Sequence, residues 1–200
     1  ELCQATRQII QQVDWECELL TDLAEQNLGC KRRMLTGLNW VFEQCAEAIV
    51  LEDDCLPHPS FFPFCAELLN HYRHEPRVLA ISGNNFLSEK MQARMRASYY
   101  FSHSPLTWGW AAWRRTWEWF DFEIKAWPQL RETDWLARRL ANPQFKPYWE
   151  KIFDATVRGE TNAWDYQLTF AGWLHESLSI VPRVNLVSNI GFGIAATHTV

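Results

Sequence analysis

Glu52, Asp53 and Asp54 follow one another directly after the apolar run Ala48-Ile49-Val50-Leu51. Adjacent carboxylates repel one another unless something neutralises them, and their hard oxygens suit Mg²⁺ or Mn²⁺. Such ions keep several waters and accept one or two carboxylates together with ligand phosphates, so a short cluster is enough. A continuous apolar run is what a strand covered on both faces requires, and open α/β sheets bind ligands at the carboxyl ends of their strands. Pro57 and Pro59 stiffen the turn that follows. The residues alone leave a second reading open: a solvated acidic turn capping the helix that begins near Ser60.

Four further groups could do chemistry. Asn27-Leu28-Gly29-Cys30-Lys31-Arg32-Arg33 joins a glycine turn to a helix start with basic side chains, which can meet phosphate through backbone N–H groups and charge. A solvated basic patch is the competing reading. Trp108-Gly109-Trp110, followed by Trp113-Arg114-Arg115, offers aromatic faces and cations to a sugar or nucleotide; the alternative is a helix burying its indoles, as expected for Trp113. Asp165 lies between Trp164 and Tyr166, where partial desolvation would raise its basicity and suit it to deprotonate a hydroxyl. It could equally cap the helix that starts there. Gly191-Phe192-Gly193 and Thr197-His198-Thr199 close the chain, and a lone histidine is more often structural than a ligand.

Helices and strands must place these groups. The spacing of Leu2, Ala5, Ile9 and Val13 predicts a helix over Leu2 to Gln12, followed by a short strand over Trp15 to Leu20. A second helix is expected over Lys31 to Phe42, with Met34, Leu35, Leu38, Val41 and Phe42 on one stripe. Ala48 to Leu51 and Val78 to Ser82 read as strands, with a helix over Phe61 to Tyr72 between them. That alternation argues for an α/β fold with a mostly parallel sheet flanked by helices. The second half is Trp-rich and reads as helical near Ala111 to Trp119, Trp135 to Leu140 and Tyr148 to Val157. No linker separates the halves.

The 200 residues suffice for one well-buried α/β domain. A 48% hydrophobic and 22% charged composition fits a globular chain, and the net charge of −5 provides no basic face for nucleic acid. An anionic ligand must therefore be met by a metal or a local basic cluster. No apolar run approaches the roughly 20 residues of a membrane span. The six cysteines, all in the first third, include no CxxC pair and read as reduced, buried thiols. A cytoplasmic location follows as the expectation, with peripheral contact at a membrane surface compatible with it.

The stretch AIVLEDDCLPHPSFFPFCAELL resembles the metal-binding segment of GT-A-fold nucleotide-diphospho-sugar glycosyltransferases. It is similar to the family-2-like bacterial sugar transferases and to the N-acetylglucosaminyltransferase I type. Apolar strand, acidic triplet, proline turn and Phe-rich helix come in the same order, and the likeness runs from about Trp15 onward. The resemblance implies a GT-A-like domain over residues 1–200 with a Trp-rich helical C-terminal half. It implies Asp54 as the ligand of Mn²⁺ or Mg²⁺, with Glu52 and Asp53 facing the nucleoside and its ribose. It implies Lys31 and Arg32 as donor contacts, Trp108 and Trp110 on the donor–acceptor cleft, and His198 over the diphosphate or metal. Asp165 is then the general base, in a motif where Tyr166 stands in place of a second acid.

The implied activity is inverting, metal-dependent transfer of a sugar from a nucleotide-sugar donor to the hydroxyl of a carbohydrate or lipid-linked acceptor. In that fold a leading strand grips the base. Here a helix comes first, so a domain lacking its first strand is expected. A sugar nucleotidyltransferase shares the sheet and metal logic but usually carries a Gly-rich phosphate loop near its N-terminus. A non-catalytic nucleotide-sugar or carbohydrate-binding module needs the Trp cluster without both Asp54 and Asp165. A metal-dependent phosphohydrolase would want more His and Asp ligands.

Overall fold

The protein is described by a computed structural model covering residues 2–192. In chain order the elements begin with α1 (Leu2–Ile10), α2 (Cys30–Gln44), β1 (Glu47–Val50), β2 (Cys55–Pro57), α3 (Phe61–His71) and β3 (Val78–Ser82). Then come α4 (Glu89–Arg94), β4 (Tyr99–Ser102), β5 (Trp110–Trp113), α5 (Arg114–Glu118), α6 (Trp127–Arg131) and α7 (Trp135–Arg139). A 3-10 turn at Pro143–Phe145 leads into α8 (Lys146–Val157), followed by α9 (Asp165–Leu174), β6 (Leu178–Pro182) and β7 (Val187–Asn189). The architecture is α/β, a five-stranded sheet in the order β1-β5-β3-β6-β4 with helices against it, and a two-stranded sheet of β2 and β7. Among the described residues no helix is long and apolar enough to cross a membrane.

The sheet is mixed, which corrects the expectation of a mostly parallel one. Among the described residues only β3 and β6 pair in parallel, while β1·β5, β3·β5 and β4·β6 are antiparallel. Strands β1, β3 and β6 still point the same way; β5 from the Trp-rich half inserts between β1 and β3 against their direction. Residues 110–113 had the three-residue Trp spacing of a helix, yet they form this strand. Trp110 and Ala112 face one core cluster and Ala111 and Trp113 the other, the two-residue alternation of a strand. Each face receives one large and one small side chain. The Trp-rich half thus contributes four strands besides its helices.

The first half also departs from expectation in two places. Trp15 to Leu20 pairs with no strand; Trp15, Leu19 and Leu20 are exposed along the surface. Its alternating pattern alone could not make a strand without a neighbour to take its backbone hydrogen bonds. β1 is an edge strand, half-buried throughout, not the fully enclosed one expected. Its apolar run is nonetheless explained, because Ile49 packs towards α3 and Ala48 and Val50 towards α2.

Three hydrophobic clusters hold the fold. One lies between the sheet and α3 around Phe61, Cys65, Leu68 and Trp113. Another lies between the opposite face, α2 and the start of α9, around Leu38, Phe42, Trp110, Trp117 and Trp164. The third joins α6, α7, α8 and α9 through Trp127, Trp135, Phe153, Phe170 and Trp173. Seven tryptophans are buried in these clusters, so most of the aromatic excess is spent on packing. Of the cysteines only Cys65 is buried; Cys3, Cys17 and Cys30 are exposed and Cys45 and Cys55 half-buried, which corrects the reading of uniformly buried thiols.

Candidate functional site

Two short connections bring the chemistry together. Only Cys45 and Ala46 separate α2 from β1, so the helix doubles back along the strand and its first turn lies beside the strand's carboxyl end. The three residues between α9 and β6 do the same for α9. Both helix N-termini therefore converge where β1, β3 and β6 end, the place where α/β sheets bind ligands. Helix N-termini favour negative charge through their N–H groups and dipoles. Gly29 starts α2 with a φ of 71°, a left-handed conformation that suits glycine, and its N–H donates to Asn27 Oδ1 at 2.8 Å.

The convergence forms a cavity of about 500 Å³. Glu52 and Asp54 line it from the turn after β1, Thr107 and Trp108 from the loop before β5, and residues 161–166 from the loop entering α9. Cys30, Ile152, Asn189 and Phe192 complete the wall. The β2·β7 pairing, in register Cys55 to Asn189, is what carries Asn189 and Phe192 to the acids. Ile190 N–H donates to the Asp54 carbonyl at 2.8 Å. The Asp54 carboxylate lies so close over Gly191 that a Cβ there would strike Oδ2. Trp108 meets Phe86 and Phe192 edge to face, at 5.1 and 5.2 Å between ring centroids, making an aromatic rim.

The electrostatics of the acids are those of uncompensated charge. Burial and then repulsion from Asp54, Asp165 and Asp53 push the Glu52 carboxyl up to about 7, against a hydrogen bond from Trp164 that lowers it. Burial also raises Asp165, partly offset by its own N–H and that of Tyr166. Asp165 is the first residue of α9 and Trp164 holds the cap position, with no side-chain cap hydrogen bond, which corrects the reading of Asp165 as the helix cap and leaves its carboxylate lining the cavity. Burial, then Glu52 and Asp165, raise the Cys30 thiol. Burial lifts the Tyr166 phenol to about 12, helped by its hydrogen bond with Tyr148.

The structure thus gathers Glu52, Asp54, Asp165 and Trp108 around one space. Asp53 is exposed and does not line it. Trp110 is not on the cleft: it is 1% exposed, packed 5.6 Å from Trp164 in the core, because β5 lies between β1 and β3 and both of its faces are covered. Lys31 and Arg32 line an adjoining cavity instead of the acidic one. His198 lies outside the described residues. Cys30, Asn189 and the loop 161–163 were missed by sequence reasoning. Helix-start geometry after Gly29 could have marked Cys30, but nothing local signals Asn189, which arrives by long-range strand pairing.

Among the described residues no group of three or more His, Cys, Asp or Glu side chains could hold a metal ion. An ion at this site would take one or two carboxylates and complete its shell from a ligand. No protein-family model matches the chain, and no curated protein matches it.

Proposed function

We propose that the protein transfers a sugar from a nucleotide-diphosphate sugar to an acceptor hydroxyl, with the help of Mn²⁺ or Mg²⁺. The observation that carries this reading is the meeting of Glu52, Asp54 and Asp165 in one cavity at the converging N-termini of α2 and α9. Acids alone would repel a diphosphate, and helix termini alone would not need acids. A cation bridging the two makes sense of both.

The residues fit such an ion. Asp54 offers hard oxygen ligands, with Glu52 beside it, and the bare backbone of Gly191 leaves the Asp54 carboxylate the room it occupies. When bound, the cation would supply positive charge to the departing diphosphate. Asp165 accepts the proton of the acceptor hydroxyl, whose oxygen then bonds to the anomeric carbon. The bond from that carbon to the diphosphate oxygen breaks, and its electron pair leaves with the nucleoside diphosphate. Its raised basicity, from burial, favours Asp165 in this role. Trp108 and Phe192 offer apolar faces to the sugar ring.

Incubation with a panel of nucleotide sugars and Mn²⁺, following nucleoside diphosphate release, tests the reading. Release from at least one donor, dependent on the cation, is expected. Pyrophosphate exchange would indicate a nucleotidyltransferase instead, and binding without any turnover a carbohydrate- or nucleotide-sugar-binding module. The acceptor class, carbohydrate or lipid-linked, and a cytoplasmic, membrane-peripheral setting belong to the same proposal.

A further inference from the structure

The acidic cavity has a neighbour of about 350 Å³, lined by Gly29, Lys31, Arg32 and Phe122, with Cys30, Thr161 and Asn162 forming a wall common to both. The two spaces differ in charge. Three carboxylates line the first, whereas two cations line the second. Lys31 Nζ stands 4.7 Å from the Phe122 ring centroid and donates to the Thr161 carbonyl at 3.4 Å. Among the described residues neither Lys31 nor Arg32 is paired with a carboxylate. Burial pushes the Lys31 ammonium below its usual range, as expected for a cation lacking a counter-ion. In the shared wall, Thr161 Oγ1 is buried without a hydrogen-bond partner, an unmet polar atom that a ligand could satisfy.

The direction of the reaction says which substrate reaches this space. Direct displacement puts the incoming hydroxyl and the departing diphosphate on opposite sides of the reacting carbon. With the diphosphate at Asp54 and the base at Asp165, the acceptor lies on the Asp165 side. Thr161 and Asn162, which belong to the shared wall, lie just ahead of Asp165 in the chain. The second cavity therefore adjoins the first along the segment that leads into the base.

We propose that the second cavity is an acceptor subsite that binds an anionic group, a phosphate or carboxylate carried by the acceptor near its reacting hydroxyl. Naming the acceptor rests on the transferase reading; the anion site itself does not. It also moves Lys31 and Arg32 from the donor, where the family resemblance put them, to the acceptor.

Titration of the whole chain with inorganic phosphate and, separately, acetate, in cation-free buffer and followed by calorimetry, tests the anion site. Saturable binding of at least one is expected, weakened about tenfold or more in Lys31→Ala/Arg32→Ala and partly restored in Lys31→Arg/Arg32→Lys. Matched thermal unfolding shows that the variants are folded. No saturable binding, or equal binding by the alanine pair, overturns the site. Saturating the protein first with nucleoside diphosphate and Mn²⁺ should leave anion binding in place; competition would return the cavity to the donor and overturn the acceptor assignment. Anion binding in a protein that releases nucleoside diphosphate from no donor would sink the transferase reading and leave the anion site standing. Phosphatidylcholine vesicles with and without phosphatidic acid separate the sources. Retention that depends on Lys31 and Arg32 marks a lipid-borne phosphate, and its absence a soluble one.

Discussion

Asp154 and Asp165 are both helical aspartates among aromatic rings, yet their surroundings are opposite. Asp154, on α8, accepts from the Trp127 indole at 2.8 Å and from Arg131 Nε at 2.9 Å. Burial would raise its pKa, but the hydrogen bonds and charge of Arg131 and Trp127 outweigh it and hold the carboxyl low. Among the described residues no cation pairs with Asp165, and burial raises it. Glu52 is pushed up further, to about 7. An acid whose charge is answered within the fold serves the fold. Acids gathered without an answer destabilise it, and their persistence is best explained by a ligand that supplies the missing charge.

The largest effect expected from this contrast is on turnover. Asp165→Asn should lower it on the order of 10² to 10⁴ while donor affinity is largely kept, measured as steady-state nucleoside diphosphate release. Asp154→Asn should leave turnover within about threefold, since its partners act on packing. Equal losses in the two would erase the distinction between them.

Stability should move the other way. The Glu52 carboxyl is raised in the folded state, so the folded protein binds more protons there than the unfolded chain. Its stability is then greatest below the unfolded carboxyl's range and falls as pH rises from about 4.5 through about 7. Glu52→Gln removes this loss and should stabilise the cation-free protein at pH 8 by about 1–2 kcal/mol, a figure discounted for partial exposure. Asp154→Asn should destabilise by about 1 kcal/mol at neutral pH. That loss should disappear as pH falls through the lowered carboxyl of the wild type. Urea unfolding at pH 5 and 8 reads both, and a destabilised Glu52→Gln would contradict the account of strained acids.

A second contrast, in affinity against stability, belongs to the two neighbouring indoles. Trp108→Ala should raise the donor or acceptor KM by about tenfold with little change in stability, as a rim residue would. Trp110→Ala should cost about 3–5 kcal/mol of stability, as a core residue does. Thermal unfolding and KM measured on the same preparations tell these apart.

Much of this contrast was legible in the residues. Val78–Ser82 as a strand, the helices α2, α3, α7 and α8, and the acidic triplet at a strand end all follow from local pattern. So did Asp165 at the start of a buried helix. What could not be read depended on contacts far apart in the chain. β5 carries Trp110 and Trp113 at a spacing that fits helix or strand, and only its insertion between β1 and β3 decides. Gly109, at a φ of 64°, turns the chain between Trp108, which lines the cavity, and Trp110, which enters the core. Asn189 reaches Asp54 through the pairing of β7 with β2, across more than a hundred residues. Asp53 and Asp54 are chemically alike, and only the turn geometry leaves one exposed and the other lining the cavity.

The central claim is that Asp54 and a divalent cation together receive a diphosphate in the acidic cavity. Calorimetric titration of the whole chain with nucleoside diphosphates, with and without Mn²⁺, tests it most directly. The account predicts binding that requires the cation in the wild type and is lost in Asp54→Ala. Binding of equal strength without Mn²⁺, or binding that survives Asp54→Ala unchanged, would contradict it.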